Sequence, residues 1–301
     1  MTSGPDQAQS RELRTNVHLE SRYRKLRRGL PQTVFYCPEC KGNRRRRRSC
    51  RKCEGFGKLT RESVQELIGR RLLPAMQAKT GKFHGAGRED IDVLMLGKGR
   101  PFVYEVVGAR RPDVDLEALR LEIEERSEGA IELAPFRRVE RKRVVYWKET
   151  HFTKDYRAEV TLAGQVAPER LDAVRGFDAE IVQRTPQRVA HRRSDLERKR
   201  RIEVQGLADL GGGRLELRLR CQHGTYVKEW VSGDEERTSP SLAHLLGVGC
   251  VCSVLDVEEI LTPDEDAAGG VFGAQIGEAS GGGDEESQGA GSDRDRAGPS
   301  E

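Results

Sequence analysis

Two Cys-x-x-Cys pairs, Cys37-Pro38-Glu39-Cys40 and Cys50-Arg51-Lys52-Cys53, stand nine residues apart. Four thiolates at this spacing can close a tetrahedral site around Zn²⁺. A doubled motif argues against a redox pair or plain buried thiols. With Cys37, Cys40, Cys50 and Cys53 all as ligands, no position is left for a catalytic water, so the zinc is expected to be structural. Gly42 and Gly55 follow the second cysteine of each pair at the same offset, which suits tight turns. Between the pairs run five consecutive arginines, Arg44 to Arg48. This run is either a basic finger gripping phosphates or a solvated loop. Cys221, Cys250 and Cys252 are not arranged as a second site and read as core or strand thiols.

A second set of residues could do covalent chemistry. Gly87-Arg88-Glu89-Asp90-Ile91-Asp92 ends a glycine-rich approach (Gly81, Gly85, Gly87) and sets Asp90 before an apolar strand. Such an aspartate is a nucleophile in some enzymes and a turn residue or surface acid in most proteins. Asp92 reads as structural, on the same strand face as Asp90 but deeper. At Gly224-Thr225-Tyr226-Val227-Lys228 a strand ends and a helix begins with an aromatic and a cation. Tyr156 opens another strand. Taken alone, Tyr156 and Tyr226 read as core residues with their hydroxyls at the surface. Arg192, Arg193 and the run from Arg198 to Arg201 either bind phosphates or cap solvated strand ends.

The elements that must position these residues are legible in outline. Ser63-Val64-Gln65-Glu66 is a capping box opening a helix that Pro74 ends or kinks. Strands are expected at 34–36, 91–96 and 102–107, the last two joined by Gly97-Lys98-Gly99-Arg100-Pro101. A helix is expected over 115–126. Further strands are expected at 137–146, 156–162, 179–183, 188–191, 200–207, 214–221 and 251–260, with short helices at 168–175, 226–231 and 241–246. This order lacks a regular βαβ alternation and predicts an α+β fold with a largely antiparallel sheet.

The chain has 301 residues and a formal net charge of +4. That small value hides a split. Residues 261–301 hold ten acids and two arginines, a net of −8, which leaves +12 on residues 1–260. The tail is rich in glycine and is expected to be disordered. The basic body calls for a polyanionic partner. No apolar run approaches the ~20 residues of a membrane span. The polar N-terminus has no apolar signal core, so a cytoplasmic protein is expected, and paired cysteines there bind metal. The expected organisation is a disordered N-terminus (1–22), a zinc-binding module (23–60), a catalytic domain (61–260) and the acidic tail (261–301).

The cysteine module alone resembles half of the zinc centre of DnaJ-type chaperones. A wider resemblance covers the chain from about Tyr23 to Ile260. Gly-Arg-x-Asp resembles the aspartate motif of pseudouridine synthases, and Gly224 to Lys228 resembles their Gly-Thr-Tyr motif. Leu30-Pro31-Gln32-Thr33, Ser63 to Ile68, Gly87 to Val93 and Gly99 to Phe102 are similar to the archaeal and eukaryotic transfer-RNA pseudouridine synthase Pus-ten family. So are Gln183 to Val189, His191-Arg192-Arg193, Gly224 to Glu229 and Gly233-Asp234.

The resemblance implies the pseudouridine synthase fold and the isomerisation of uridine to pseudouridine in RNA, without a catalytic cofactor. It puts the nucleophilic carboxylate on Asp90, attacking either uracil C6 or ribose C1′, and the cation paired with it on Lys228. It puts uridine-binding roles on Tyr156 and Tyr226, and gives Arg88 the task of displacing the flipped uridine. It implies a transfer-RNA substrate, at uridines 54 and 55 of the TΨC arm; a monomer is expected. Many family members carry a THUMP-type RNA-binding domain ahead of the cysteines, whereas only about 20 residues precede Tyr23 here. Two other readings stay open: a synthase acting on another RNA, and a non-catalytic zinc-containing RNA-binding protein.

Overall fold

The computed structural model describes residues 14–190 and 194–263. In chain order the elements are β1 (Thr15–Lys25), α1 (Val64–Ala75), β2 (Thr80–Gly85), β3 (Leu94–Ala109), α2 (Leu116–Arg126), β4 (Ile131–Leu133), β5 (Arg137–Arg138), α3 (Lys142–Glu149) and β6 (Lys154–Leu162). They continue with α4 (Pro168–Arg175), β7 (Asp178–Arg184), α5 (Gln187–Ala190), β8 (Glu197–Gly211), β9 (Arg214–Cys221), α6 (Val227–Ser232), β10 (Thr238–Ser239), α7 (Leu242–Leu246) and β11 (Cys250–Ile260). The class is α+β, as expected. Eleven strands form one sheet, ordered β10-β7-β8-β9-β6-β11-β3-β1-β4, with β2 on β3 and β5 on β1.

Among the described pairings only β3 with β11 is parallel, through Asp256↔Leu94 and Val257↔Met95. It joins two antiparallel halves. One in-register row crosses that joint: Leu219, Tyr156, Val257, Met95 and Lys25. Asp256, buried at the joint, accepts from the Leu94 amide at 3.2 Å and pairs with Arg28. Among the described residues no helix is long and apolar enough to cross a membrane.

The structure corrects several expectations. The segment 1–22 is not all disordered: residues 15–22 belong to β1, where Val17, Leu19, Glu20, Ser21 and Arg22 are buried between β3 and other strands. Their alternation was masked by charges that pair internally, Glu20 with Arg137 and Arg143. Tyr23 and Lys25 belong to this strand too, so the cysteine module is shorter than 23–60. It closes at the Tyr36↔Lys58 bridge, which is all that forms of the strand expected at 34–36. Residues 261–263 also belong to the body, with Leu261 bonded to Thr153 and Thr262 accepting from Arg22. Residues 1–13 and 264–301, including most of the acidic tail, lie outside the described residues.

The two strands expected at 91–96 and 102–107 are one strand, β3. Both flanks of Gly97–Gly99 pair with β1 in the same direction, Lys25↔Met95 and Tyr23↔Arg100, so the glycines form a bulge and not a turn. Residues 137–146 are not a strand. After the two residues of β5 the chain turns into α3, because Val144 and Trp147 bury at a spacing of three. Residues 188–191 likewise begin in the helical turn α5 that follows Pro186. The helix from Ser63 forms as read: the Ser63 hydroxyl accepts the Glu66 amide and donates to its carboxylate.

Candidate functional site

Asp90 sits in the loop between β2 and β3, at the parallel joint. A buried charge cluster holds this loop from below. Glu89, with no side-chain exposure, accepts from Arg100 Nε at 2.8 Å and from the Tyr23 hydroxyl at 2.9 Å, with Lys25 Nζ 3.7 Å away. Arg100 also donates to the Ala86 carbonyl at 2.7 Å. Gln32 donates to Tyr23 and to the Gly87 carbonyl. Lys25 donates to the carbonyls of Leu30 and Asp90 at 2.9 and 3.0 Å. The backbone on both sides of Asp90 is thereby pinned, and its carboxylate projects upward, 43% exposed. Burial draws the Lys25 ammonium below the ordinary lysine range, against the opposing pull of Glu89.

Two cations meet the Asp90 carboxylate: Arg188 Nη2 at 3.4 Å and Lys228 Nζ at 3.8 Å from Oδ2. Lys228 lies closer to Asp92, 2.9 and 2.8 Å from its two oxygens. Lys228 therefore stands within ion-pair distance of both acids, nearer to Asp92 than to the Asp90 expected as its partner. Asp92 is not the deeper acid: its side chain is 60% exposed, in the loop before β3 and not within the strand. Partial burial would raise its carboxyl, but Lys228 outweighs this and holds it below the usual carboxylate range.

Tyr156 lies on β6, in the row that ends at Lys25. Burial pushes its hydroxyl well above the usual phenol range, and the negative charges of Glu89 and Asp90 push it the same way. It stays protonated within electrostatic reach of Asp90. Tyr226 precedes α6 and is clamped through its backbone. The buried Gln183 side chain accepts from its amide and donates to its carbonyl, both at 3.0 Å. The structure thus brings Asp90, Asp92, Lys228, Tyr156 and Tyr226 to one region. Arg88 is exposed on the aspartate loop. Arg192 and Arg193 lie outside the described residues.

The reading of the residues did not single out Arg188, Glu229, Glu89 or Lys25. Arg188 and Glu229 lie inside stretches that carry the family resemblance, and Glu89 stands between two residues of the aspartate motif. The signal was present; what it lacked was the pairing, which only tertiary structure supplies.

The four cysteines of the two pairs also converge. Their Sγ atoms lie within 4.8 Å of one another, Cys37–Cys50 at 3.7 Å and Cys40–Cys53 at 3.6 Å. A tetrahedron of thiolates at a Zn–S distance of ~2.3 Å has edges of about 3.8 Å, so the set fits such an ion. Gly42 and Gly55 take φ of 71° and 80°, and a Cβ at Gly42 would lie 2.5 Å from the Tyr36 ring. Lys58, one half of the module's closing bridge, binds the Glu66 carboxylate at 2.5 Å and so ties the module to the start of α1. Arg44 to Arg48 are exposed on its outer loop.

The site is thus a half-exposed carboxylate between two cations, with a protonated tyrosine at the joint of a mostly antiparallel sheet. Residues 18–261 match a protein-family model described as "Pus10, C-terminal", and the chain belongs to that family. The match begins inside β1 and ends just past β11. Among curated proteins, the tRNA pseudouridine synthase Pus10 of Methanothrix thermoacetophila is 42% identical over 261 residues, 86% of this chain and 55% of that protein. The tRNA pseudouridine synthase Pus10 of Methanothermobacter marburgensis is 44% identical over 249 residues, 82% of this chain and 60% of that protein. The chain thus spans a little over half the length of these relatives. Among solved structures, that of a Cbf5–Nop10–Gar1 complex covers 65% of this chain and 45% of that chain at 18% identity. Its TM-score is 0.39.

Proposed function

We propose that this chain carries the catalytic part of a tRNA pseudouridine synthase. The observation that supports it most is the convergence of Asp90 with Arg188, Lys228 and Tyr156 in a chain of this family. The reaction is an isomerisation. The N1–C1′ glycosidic bond breaks, the uracil turns, C5 bonds to C1′, C5 loses its proton and N1 gains one. Nothing but the nucleotide itself is consumed. Asp90 is the nucleophile, at uracil C6 or at ribose C1′, and the cations keep it ionised as the uridine displaces water. Tyr156 offers a flat face to the base and a protonated hydroxyl. Tyr226 lines the same region, and Arg88 takes the space left by the flipped uridine.

The substrate we propose is transfer RNA, at positions 54 and 55 of the TΨC arm, bound by a monomer in the cytoplasm. The cysteine module holds Zn²⁺ through four protein ligands, and the ion supplies rigidity to the loop of Arg44 to Arg48. That loop then contacts RNA phosphates, together with Arg192 and Arg193. The test is incubation with unmodified transfer-RNA transcripts, with pseudouridine mapped by carbodiimide primer extension. Product is expected with the native chain and none with Asp90→Asn. Activity retained by Asp90→Asn, or no product on any RNA, refutes the reading.

A further inference from the structure

Arg188 has been built into place by its neighbours. Arg184 pairs with Asp195, and the buried Thr185 hydroxyl donates to the Ser194 carbonyl at 2.7 Å and accepts from the Leu196 amide at 3.0 Å. The Gln187 amide donates to Asp234 at 3.1 Å, and its side chain donates to Glu235 at 2.6 Å. Val189 is buried. The turn α5 is therefore fixed at its N-terminal end and through buried Val189, and it presents Arg188 to Asp90.

The far side of the guanidinium is fixed as well. Its Nε donates to Glu229 Oε1 at 2.5 Å, and the Glu229 side chain is 8% exposed on α6, between Lys228 and the fully buried Trp230. A planar guanidinium anchored through Nε has fewer directions open to its remaining nitrogens, and here Nη2 lies 3.4 Å from Asp90 Oδ2. Lys228 offers no such constraint. Its ammonium is a point donor on a flexible stem, and it already bonds both oxygens of Asp92.

We propose that Arg188 is the positioning residue that orients the Asp90 carboxylate, that Glu229 fixes Arg188, and that Lys228 chiefly serves Asp92. This rests on Asp90 being the reacting carboxylate. It reassigns the principal cation from the helix residue expected on sequence grounds to one on α5.

The experiment uses the full chain and an unmodified transfer-RNA transcript. Single-turnover rates are measured at saturating enzyme, and RNA affinity is measured at the same salt. Arg188→Gln is expected to slow the saturated step about 100-fold, the scale of losing one preorganised charge partner, while RNA affinity stays within about threefold. Arg188→Lys is expected to recover at least about tenfold of that rate. Glu229→Gln is expected to slow the step about tenfold, with no further loss when added to Arg188→Gln, because the two act in one chain.

A wild-type saturated rate in Arg188→Gln overturns the proposal, and so does a defect confined to RNA affinity, which would make Arg188 a phosphate contact. A full loss in Lys228→Gln with none in Arg188→Gln also overturns it. Asp90→Asn is run in parallel. If Asp90→Asn is inactive and Arg188→Gln is not impaired, this inference alone fails; if Asp90→Asn is active, the nucleophile reading fails and this one with it. Arg188 is half-exposed, so its variants carry the test even if Glu229→Gln does not fold.

Discussion

Replacing Glu89 with glutamine leaves two buried cations without an anion. Arg100 Nε is 2.8 Å and Lys25 Nζ 3.7 Å from the Glu89 oxygens, and none of the three side chains is more than 1% exposed. Glutamine keeps the shape, so the change is one of charge: the cluster goes from +1 to +2 in a space closed to water. Breaking a buried pair in this way costs about 3–5 kcal/mol. Part of that is recoverable, because Lys25, already drawn down by burial, can give up its proton. A loss of about 3 kcal/mol near neutral pH is therefore expected. For a domain of this size, ~2–4 °C per kcal/mol gives a fall of about 6–12 °C in Tm.

The sign of the pH dependence follows. Without Glu89 the folded state holds the Lys25 proton still less well than the unfolded chain does. Stability then rises with pH wherever the unfolded state binds more protons, so the Glu89→Gln deficit shrinks on going from pH 6.5 to pH 9. Urea titration and calorimetry at both values measure it. Adding Arg100→Met removes the orphaned cation and is expected to restore at least about half of the loss, a coupling that a double-mutant cycle isolates. A loss under about 0.5 kcal/mol, or simple additivity in the double variant, would show that the cluster does not depend on its charge balance.

Other expectations follow from single features. The purified chain should hold about one equivalent of zinc, lost in Cys40→Ser together with hydrogen-exchange protection of the amides between Cys37 and Gly57; a metal-free native chain refutes the assignment. His223 stacks on His151 at 4.1 Å, and burial, with Lys154, His151 and Arg200 nearby, brings its imidazole down to about 4. The unfolded chain therefore takes up a proton first as pH falls below ~6.5. Acidification to pH 5 should cost about 1 kcal/mol more in the native chain than in His223→Asn, after allowing for partial exposure, and equal acid slopes refute this. Gly97→Ala should cost about 2–3 kcal/mol, since φ is +56° and a Cβ would lie 2.1 Å from the Glu258 carbonyl. Gly212→Ala, at φ +61° with nothing within 4 Å, should cost about 1 kcal/mol; equal losses in chemical denaturation would refute the steric argument.

The sequence disclosed elements whose signals are local. The Ser63 cap, the helices expected over 115–126 and 168–175, and the strands expected at 200–207 and 214–221 all form where expected. It concealed elements whose logic is tertiary. β1 reads as a polar terminus because Glu20, Arg22 and Lys25 find their partners on other strands and loops. The Gly97–Gly99 segment reads as a turn because a bulge and a hairpin use the same residues, and only the shared partner β1 separates them. The site divides the same way. Asp90, Lys228, Tyr156 and Tyr226 were legible through the family motifs, while Arg188, Glu229 and the cluster under the loop were not. A buried ion pair leaves no periodicity, and its members lie 11 to 64 positions apart here.

The topology explains why the site needs both halves of the sheet. Asp90 is held from below by β1 and β3, through Lys25, Glu89 and Arg100. Its cations come from α5 and α6, which pack with the other half: Gln183 on β7 clamps Tyr226, and Asp234 and Glu235 anchor α5. Among the described residues, the strand ladder between the halves is the short parallel pairing of β3 and β11. Side chains add to it: Asp256 takes the Leu94 amide and Arg28 from one half and lies 3.6 Å from Arg157 of the other. Arg28 also donates to the carbonyl of Asp92. A change at Asp256 therefore acts on the distance between Asp90 and its cations without touching either. Electrostatic attraction across the site, Asp90 and Asp92 toward Arg188 and Lys228, pulls the same two halves together, so these four charges also contribute to closing the joint that positions them.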